Sequence, residues 1–71
     1  MKSLQINFAK SLIKNSKELD SSRLQKEMLK NKSLFNSNDN LDAIQYIAKR
    51  ELVDESILTR NHLKGRYEFK A

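Results

Sequence analysis

Phe8, Ala9, Leu12, Ile13 and Ser16 recur at the spacing of one helical face, with Lys10, Lys14 and Lys17 lying off it. That rhythm predicts a first helix closing before Leu19-Asp20-Ser21-Ser22. Its start reads two ways, because Leu4, Ile6 and Phe8 alternate with Ser3, Gln5 and Asn7 at the period of a strand. With Asp20 as N-cap, Leu19 and Leu24 take the N′ and N4 places of a hydrophobic staple, and Ser22 with Gln25 offers a capping box instead. The second helix then runs to about Leu34 and turns Leu24, Met28, Leu29 and Phe35 inward. Asn36-Ser37-Asn38-Asp39-Asn40 is the clearest loop, since these side chains compete with the helical backbone for hydrogen bonds. Asp39 or Asn40 caps the next helix, with Asp42 in its first turn and Leu41, Ile44, Ile47, Ala48 and Leu52 as its apolar stripe. Asp54 is then expected to cap a fourth short helix from Glu55 to about Lys64, with Gly65 as its C′ residue. The tail Arg66-Tyr67-Glu68-Phe69-Lys70 alternates, placing two rings on one side. Docking of those rings on the core is favoured over a short C-terminal strand pairing with residues 4–8 or with another chain.

Composition supports the helical assignment. Gly65 is the only glycine and proline is absent, so little in the chain invites tight hairpins, and no Asn-Gly or Asp-Gly pair occurs. The expected fold class is all-α, a small bundle of three to four short helices in a single domain, residues 1–71. Chains of this size bury only about 60% of their unfolded surface, so the core is thin. There is no cysteine, and one histidine, His62, cannot hold a metal alone. No cofactor or metal is expected. No apolar run approaches a membrane span and no signal-peptide core is visible, which predicts a soluble cytoplasmic protein without a membrane partner.

Charge is uneven along the chain. Residues 1–35 carry eight basic and three acidic groups, residues 36–58 two and five, residues 59–71 four and one, for a total of +5. Basic surface attracts nucleic acid and acidic partners; lysine-rich helices also simply keep small domains in solution. Enzyme signatures are missing. Phosphate-cradling loops need several glycines, and His62 has no carboxylate neighbour in sequence. The best carboxylate group, Glu51 with Asp54 or Glu55, sits at a helix junction where acids usually serve the helix dipole. The expectation is a protein without catalytic activity.

The segment Ile44–Leu63, IQYIAKRELVDESILTRNHL, resembles a helix-turn-helix DNA-binding unit. Ile47-Ala48 matches the apolar-then-small pair of the first helix, Val53 the apolar position after the turn, Asp54 the cap, and Leu58-Thr59 the apolar-then-hydroxyl pair of the second. Leu52 stands where the turn glycine is usual, Glu51 at a normally apolar place, and Asn61 at a third apolar anchor. The resemblance implies a second helix in the major groove of double-stranded DNA. Base contacts would fall to Ser56, Thr59, Arg60 and His62, and phosphate contacts to Arg50, Lys64 and Arg66. The use would be regulation of transcription, replication or excision in a phage or mobile element, with a symmetric homodimer as the arrangement that best fits such binding. Leu4-Gln5-Ile6-Asn7-Phe8 also resembles the strand of a ribbon-helix-helix dimer, with Gln5 and Asn7 as readers. The competing class is a protein-interaction module or inhibitor that occludes a partner protein, using the lysine faces of the first two helices (Lys10, Lys14, Lys26, Lys30) or the aromatic tail.

Overall fold

The computed structural model describes residues 2–70. Helices α1 (Lys2–Ser16), α2 (Ser21–Lys30) and α3 (Leu41–Asp54) are followed by strands β1 (Leu58–Asn61) and β2 (Arg66–Phe69), paired as one antiparallel hairpin. The chain is therefore mostly helical but not all-α.

The caps fall where short polar side chains precede the apolar stripes. Asp20 caps α2, its carboxylate accepting the Arg23 N–H at 3.1 Å, and Leu19 and Leu24 flank it at the staple spacing. Asn40 caps α3, its side-chain oxygen accepting the Ala43 N–H at 3.1 Å. Asp39 does a different job. Its carboxylate accepts the Asn36 N–H at 3.0 Å and the Gln5 amide at 3.0 Å, while the same Gln5 amide donates to the Leu34 carbonyl at 2.9 Å. The loop before α3 is thereby fastened to α1.

The helices converge on Ala9, Ile13, Leu24, Met28, Phe35, Leu41, Ile44, Ala48, Leu52 and Leu58, all buried. Phe8 meets Phe35 edge to face, ring centroids 5.4 Å apart. α1 packs chiefly on α3. Lys10 of α1 bridges Glu51 at 3.0 Å and also Glu55 at the end of α3. The Glu55 and Glu51 carboxylates hold the Lys10 pKa above its ordinary value, and the bond from Lys10 holds Glu55 below the usual carboxylate range. Two further polar side chains of α3 point inward. Gln45 donates to the Ser21 carbonyl at 3.1 Å, and Lys49 to the Leu19 carbonyl at 3.0 Å, so both grip the α1–α2 junction. Burial lowers the Lys49 pKa, with Asp20 and then Asp42 opposing it.

Four expectations are corrected here. Residues 4–8 are helical, so the ribbon-helix-helix strand does not form; the apolar positions alternate there, but the helical face continues through Ala9 and Ile13 into the core. α2 stops at Lys30, where the Asn31 N–H reaches the Met28 carbonyl, and Phe35 enters the core from a turn rather than a helix. Ile47 is partly exposed and lies outside the core. The fourth helix is absent. Asp54 is the last residue of α3, not a cap, and Ser56 takes a left-handed φ of 65° just beyond it. The Ser56 N–H bonds the Val53 carbonyl at 3.0 Å and the Ile57 N–H bonds the Leu52 carbonyl at 2.9 Å, the paired bonds of a Schellman stop. Beyond that stop, Ile57 and Thr59 are β-branched, Asn61 and His62 are weak helix formers, and an alternating partner follows. A hairpin results, in the register Leu58↔Phe69, Thr59↔Glu68, Arg60↔Tyr67 and Asn61↔Arg66.

The hairpin needs no Asn-Gly pair because its loop, residues 62–65, is four residues long. Gly65 lies at φ 67°, the left-handed geometry expected of it, but it serves a hairpin and not a helix end. The tail docks its rings as expected, Tyr67 and Phe69 packing against the core, and is also a strand. Its partner is neither residues 4–8, which are helical, nor another chain, but residues 58–61. Lys17, left-handed at the end of α1 (φ 55°), places its ammonium 5.3 Å from the Phe69 ring centre.

Candidate nucleic-acid interface

Side chains alternate between the two faces of a strand, so the register sorts the hairpin's chemistry. Leu58, Arg60, Tyr67 and Phe69 share one face. Leu58 and Phe69 turn toward the core, and the same face continues outward into the Arg60–Tyr67 pair. Arg60 lies with its guanidinium carbon 5.1 Å from the Tyr67 ring centre.

α3 brings a matching pair. Tyr46 and Arg50 are one helical turn apart on its exposed side. The Arg50 guanidinium donates to the Tyr46 hydroxyl at 3.1 Å and sits 5.8 Å from that ring's centre. The hydrogen bond to Tyr46 raises the Arg50 pKa further above its ordinary value. Tyr46 nevertheless remains 54% exposed.

Together these residues line one open groove of about 460 Å³, formed by Tyr46, Arg50, Val53, Arg60, His62 and Tyr67. No carboxylate is among its lining residues. A second groove of about 570 Å³ shares Tyr67 and is lined by Leu19, Asp20, Ser21, Ser22, Lys49, Gly65 and Arg66. It is less suited to an anion, because the Asp20 carboxylate lies in its wall.

Of the residues singled out from sequence, Arg50, Arg60 and His62 are brought together. Lys64 is exposed in the hairpin loop, and Arg66 lines the second groove while pairing with Glu68 at 3.3 Å. Asn61, and to a lesser degree Arg66, hold the Glu68 carboxyl below its usual range by hydrogen bonding. Ser56 and Thr59 do not line the groove. Ser56 forms the α3 stop, and Thr59 lies on the opposite strand face, across from Glu68. The helix that the helix-turn-helix resemblance implied is replaced by β1, so its mode of entry into a groove is not available to these residues.

Tyr46 and Val53 are not marked by the sequence as site residues, and Tyr67 only as a ring that docks on the core. Tyr46 carries a signal in its spacing from Arg50. The Arg60–Tyr67 pairing depends on the hairpin register and has none. Among the described residues no cluster of three or more His, Asp or Glu side chains could hold a metal ion, and no helix is long and apolar enough to cross a membrane. The chain matches no family model, no curated protein and no solved structure.

Proposed function

We propose that this chain is a small nucleic-acid-binding protein that docks double-stranded DNA on the α3–hairpin face. The observation that carries this is the groove itself: two arginines resting on two tyrosines, with His62 beside them and no carboxylate in the lining. A ring face positions a guanidinium without cancelling its charge. Such arginines are held ready for an anion while still able to donate five N–H bonds.

Base edges fall to Arg60 and His62, which project from the hairpin. Arg50 from α3, with Lys64 from the loop, meets phosphates. Arg66 shares the opposite strand face with Asn61 and is paired with Glu68. Regulation of transcription, replication or excision is the use this binding best serves. Tyrosine and arginine also dominate protein–protein hot spots, so occlusion of a protein partner is the competing use of the same face.

Duplex titration over a range of salt separates the two. Two cations on phosphate, Arg50 and Lys64, give a log–log salt slope of about −2. Arg60→Ala costs about 1–3 kcal/mol, concentrated at particular base pairs, whereas Arg50→Ala weakens all sequences alike. Absence of duplex binding at low salt, with a nuclease-insensitive stoichiometric protein partner recovered by pull-down, would overturn the DNA assignment in favour of occlusion.

A further inference from the structure

Leu63 sits at the apex of the hairpin loop and is fully exposed, at 101% of its reference area. The loop beneath it is braced. The Asn61 side-chain oxygen accepts the Lys64 N–H at 3.0 Å, and the Asn61 amide donates to Glu68 at 3.2 Å. Glu68 in turn accepts from Arg66 at 3.3 Å, and Gly65 supplies the left-handed turn. A leucine is thus presented on a stiffened tip, in contact with nothing.

Its neighbours select what it meets. His62 and Lys64 adjoin it and Arg60 stands below on β1, while the one nearby carboxylate, Glu68, is taken up by Arg66 and Asn61. The electrostatic partner of this tip is an anion. His62 also lines the α3–hairpin groove, so one ligand can span groove and tip. A single leucine offers too little apolar area to hold a bilayer. It suffices to open a single base step, since apolar side chains carried beside cations enter the minor groove and wedge between neighbouring pairs. The minor groove, narrow and strongly negative in A·T tracts, draws in flanking arginine, lysine and histidine.

We infer that Leu63 is an intercalating wedge, which enters a base step of duplex DNA from the minor groove and kinks it while Lys64 holds the adjoining backbone and His62 a neighbouring base edge. This rests on the DNA assignment above. A kink would draw the flanking duplex toward the α3 face and lengthen the contact.

The test uses the full chain with short duplexes carrying end-to-end fluorophores and a stacking-sensitive base analogue walked along the site. Leu63 touches nothing, so Leu63→Ser and Leu63→Met should melt with the wild type, which circular dichroism checks. The wild type should shorten the end-to-end distance and brighten the analogue at one step. Leu63→Met should keep both effects. Leu63→Ser should lose both and bind roughly tenfold more weakly. A duplex bound with all bases stacked and no bend, or a bend and brightening unchanged by Leu63→Ser, would overturn the wedge alone. No duplex binding at low salt would remove the DNA assignment and the wedge together. Leucine-dependent partition into anionic vesicles, with no unstacking of DNA, would assign the tip to membrane instead and overturn the wedge.

Discussion

Two sets of cations border α3, and the chain treats them differently. Lys10 is shut between Glu51 and Glu55 at the seam of α1 and α3, where two carboxylates neutralise its charge. Arg50 and Arg60 rest on Tyr46 and Tyr67, whose rings fix their direction. Among the described residues neither is held in a salt bridge, Asp54 acting on Arg50 only from a distance. At the seam, charge joins helices. In the groove it stays available. A net charge of +5 does not reveal this division, because both kinds of cation count equally in it.

The strongest way to break the contrast is to remove the core anchor beneath the groove. Leu58 is wholly buried at the base of the groove-bearing strand face. Leu58→Ala should cost about 2–5 kcal/mol and loosen the hairpin from α3, so denaturant midpoint and duplex affinity fall together. A fall in stability with undiminished affinity would show that the groove needs no support from the core.

Ser56 offers a finer cut. It holds φ 65° at the stop of α3, a conformation that costs an L-residue about 1 kcal/mol and a glycine little. Ser56→Gly should raise stability by about that amount in chemical denaturation and leave DNA affinity unchanged. A loss of affinity would return the hydroxyl to the binding surface, where the helix-turn-helix resemblance puts it.

The smallest effect concerns the seam. Lys10→Met should lower the melting temperature slightly at neutral pH, with the deficit shrinking in high salt because the carboxylates are partly exposed. The sign of its pH dependence follows from the shifts. Glu55 is held below 4.5, so its contribution is present above that pH and is lost as pH falls through its lowered value. Lys10 is held above 10.5, so its contribution is present below that pH and is lost as pH rises through the raised value. The difference between wild type and variant should therefore form a plateau across neutral pH and close at both extremes. Duplex binding should not be weakened at neutral pH.

Much of the helical half is legible in the sequence because its determinants are local. The stripes of α1, α2 and α3 and the caps Asp20 and Asn40 are set by residues three or four positions apart. The hairpin is harder to foresee for three physical reasons. Ile57-Leu58-Thr59-Arg60-Asn61 is too short for its period to separate helix from strand, and its partner begins only after a four-residue loop. The stop that frees it is a serine in a left-handed conformation, which no residue type advertises. The groove follows from both. Arg50, Arg60 and His62 can be singled out by type, but Tyr67 meets Arg60 only once the register is set. Thr59 is kept from the groove by the same register, which turns it to the face opposite Arg60, and Ser56 by its place in the stop of α3.

Gln45 carries a different kind of information. It is only 2% exposed, and its donor reaches the Ser21 carbonyl while its acceptor oxygen finds no protein partner. Its worth lies in what it forbids. Sliding α2 along α3 by one helical turn would keep greasy surfaces in contact, as oily faces pack nearly as well in several alignments. It would also strip the amide of its one remaining bond, leaving a wholly unsatisfied group in the interior. A thin core of interchangeable aliphatics is thus biased toward one alignment by an imperfectly satisfied amide, alongside the Lys49 bond to Leu19.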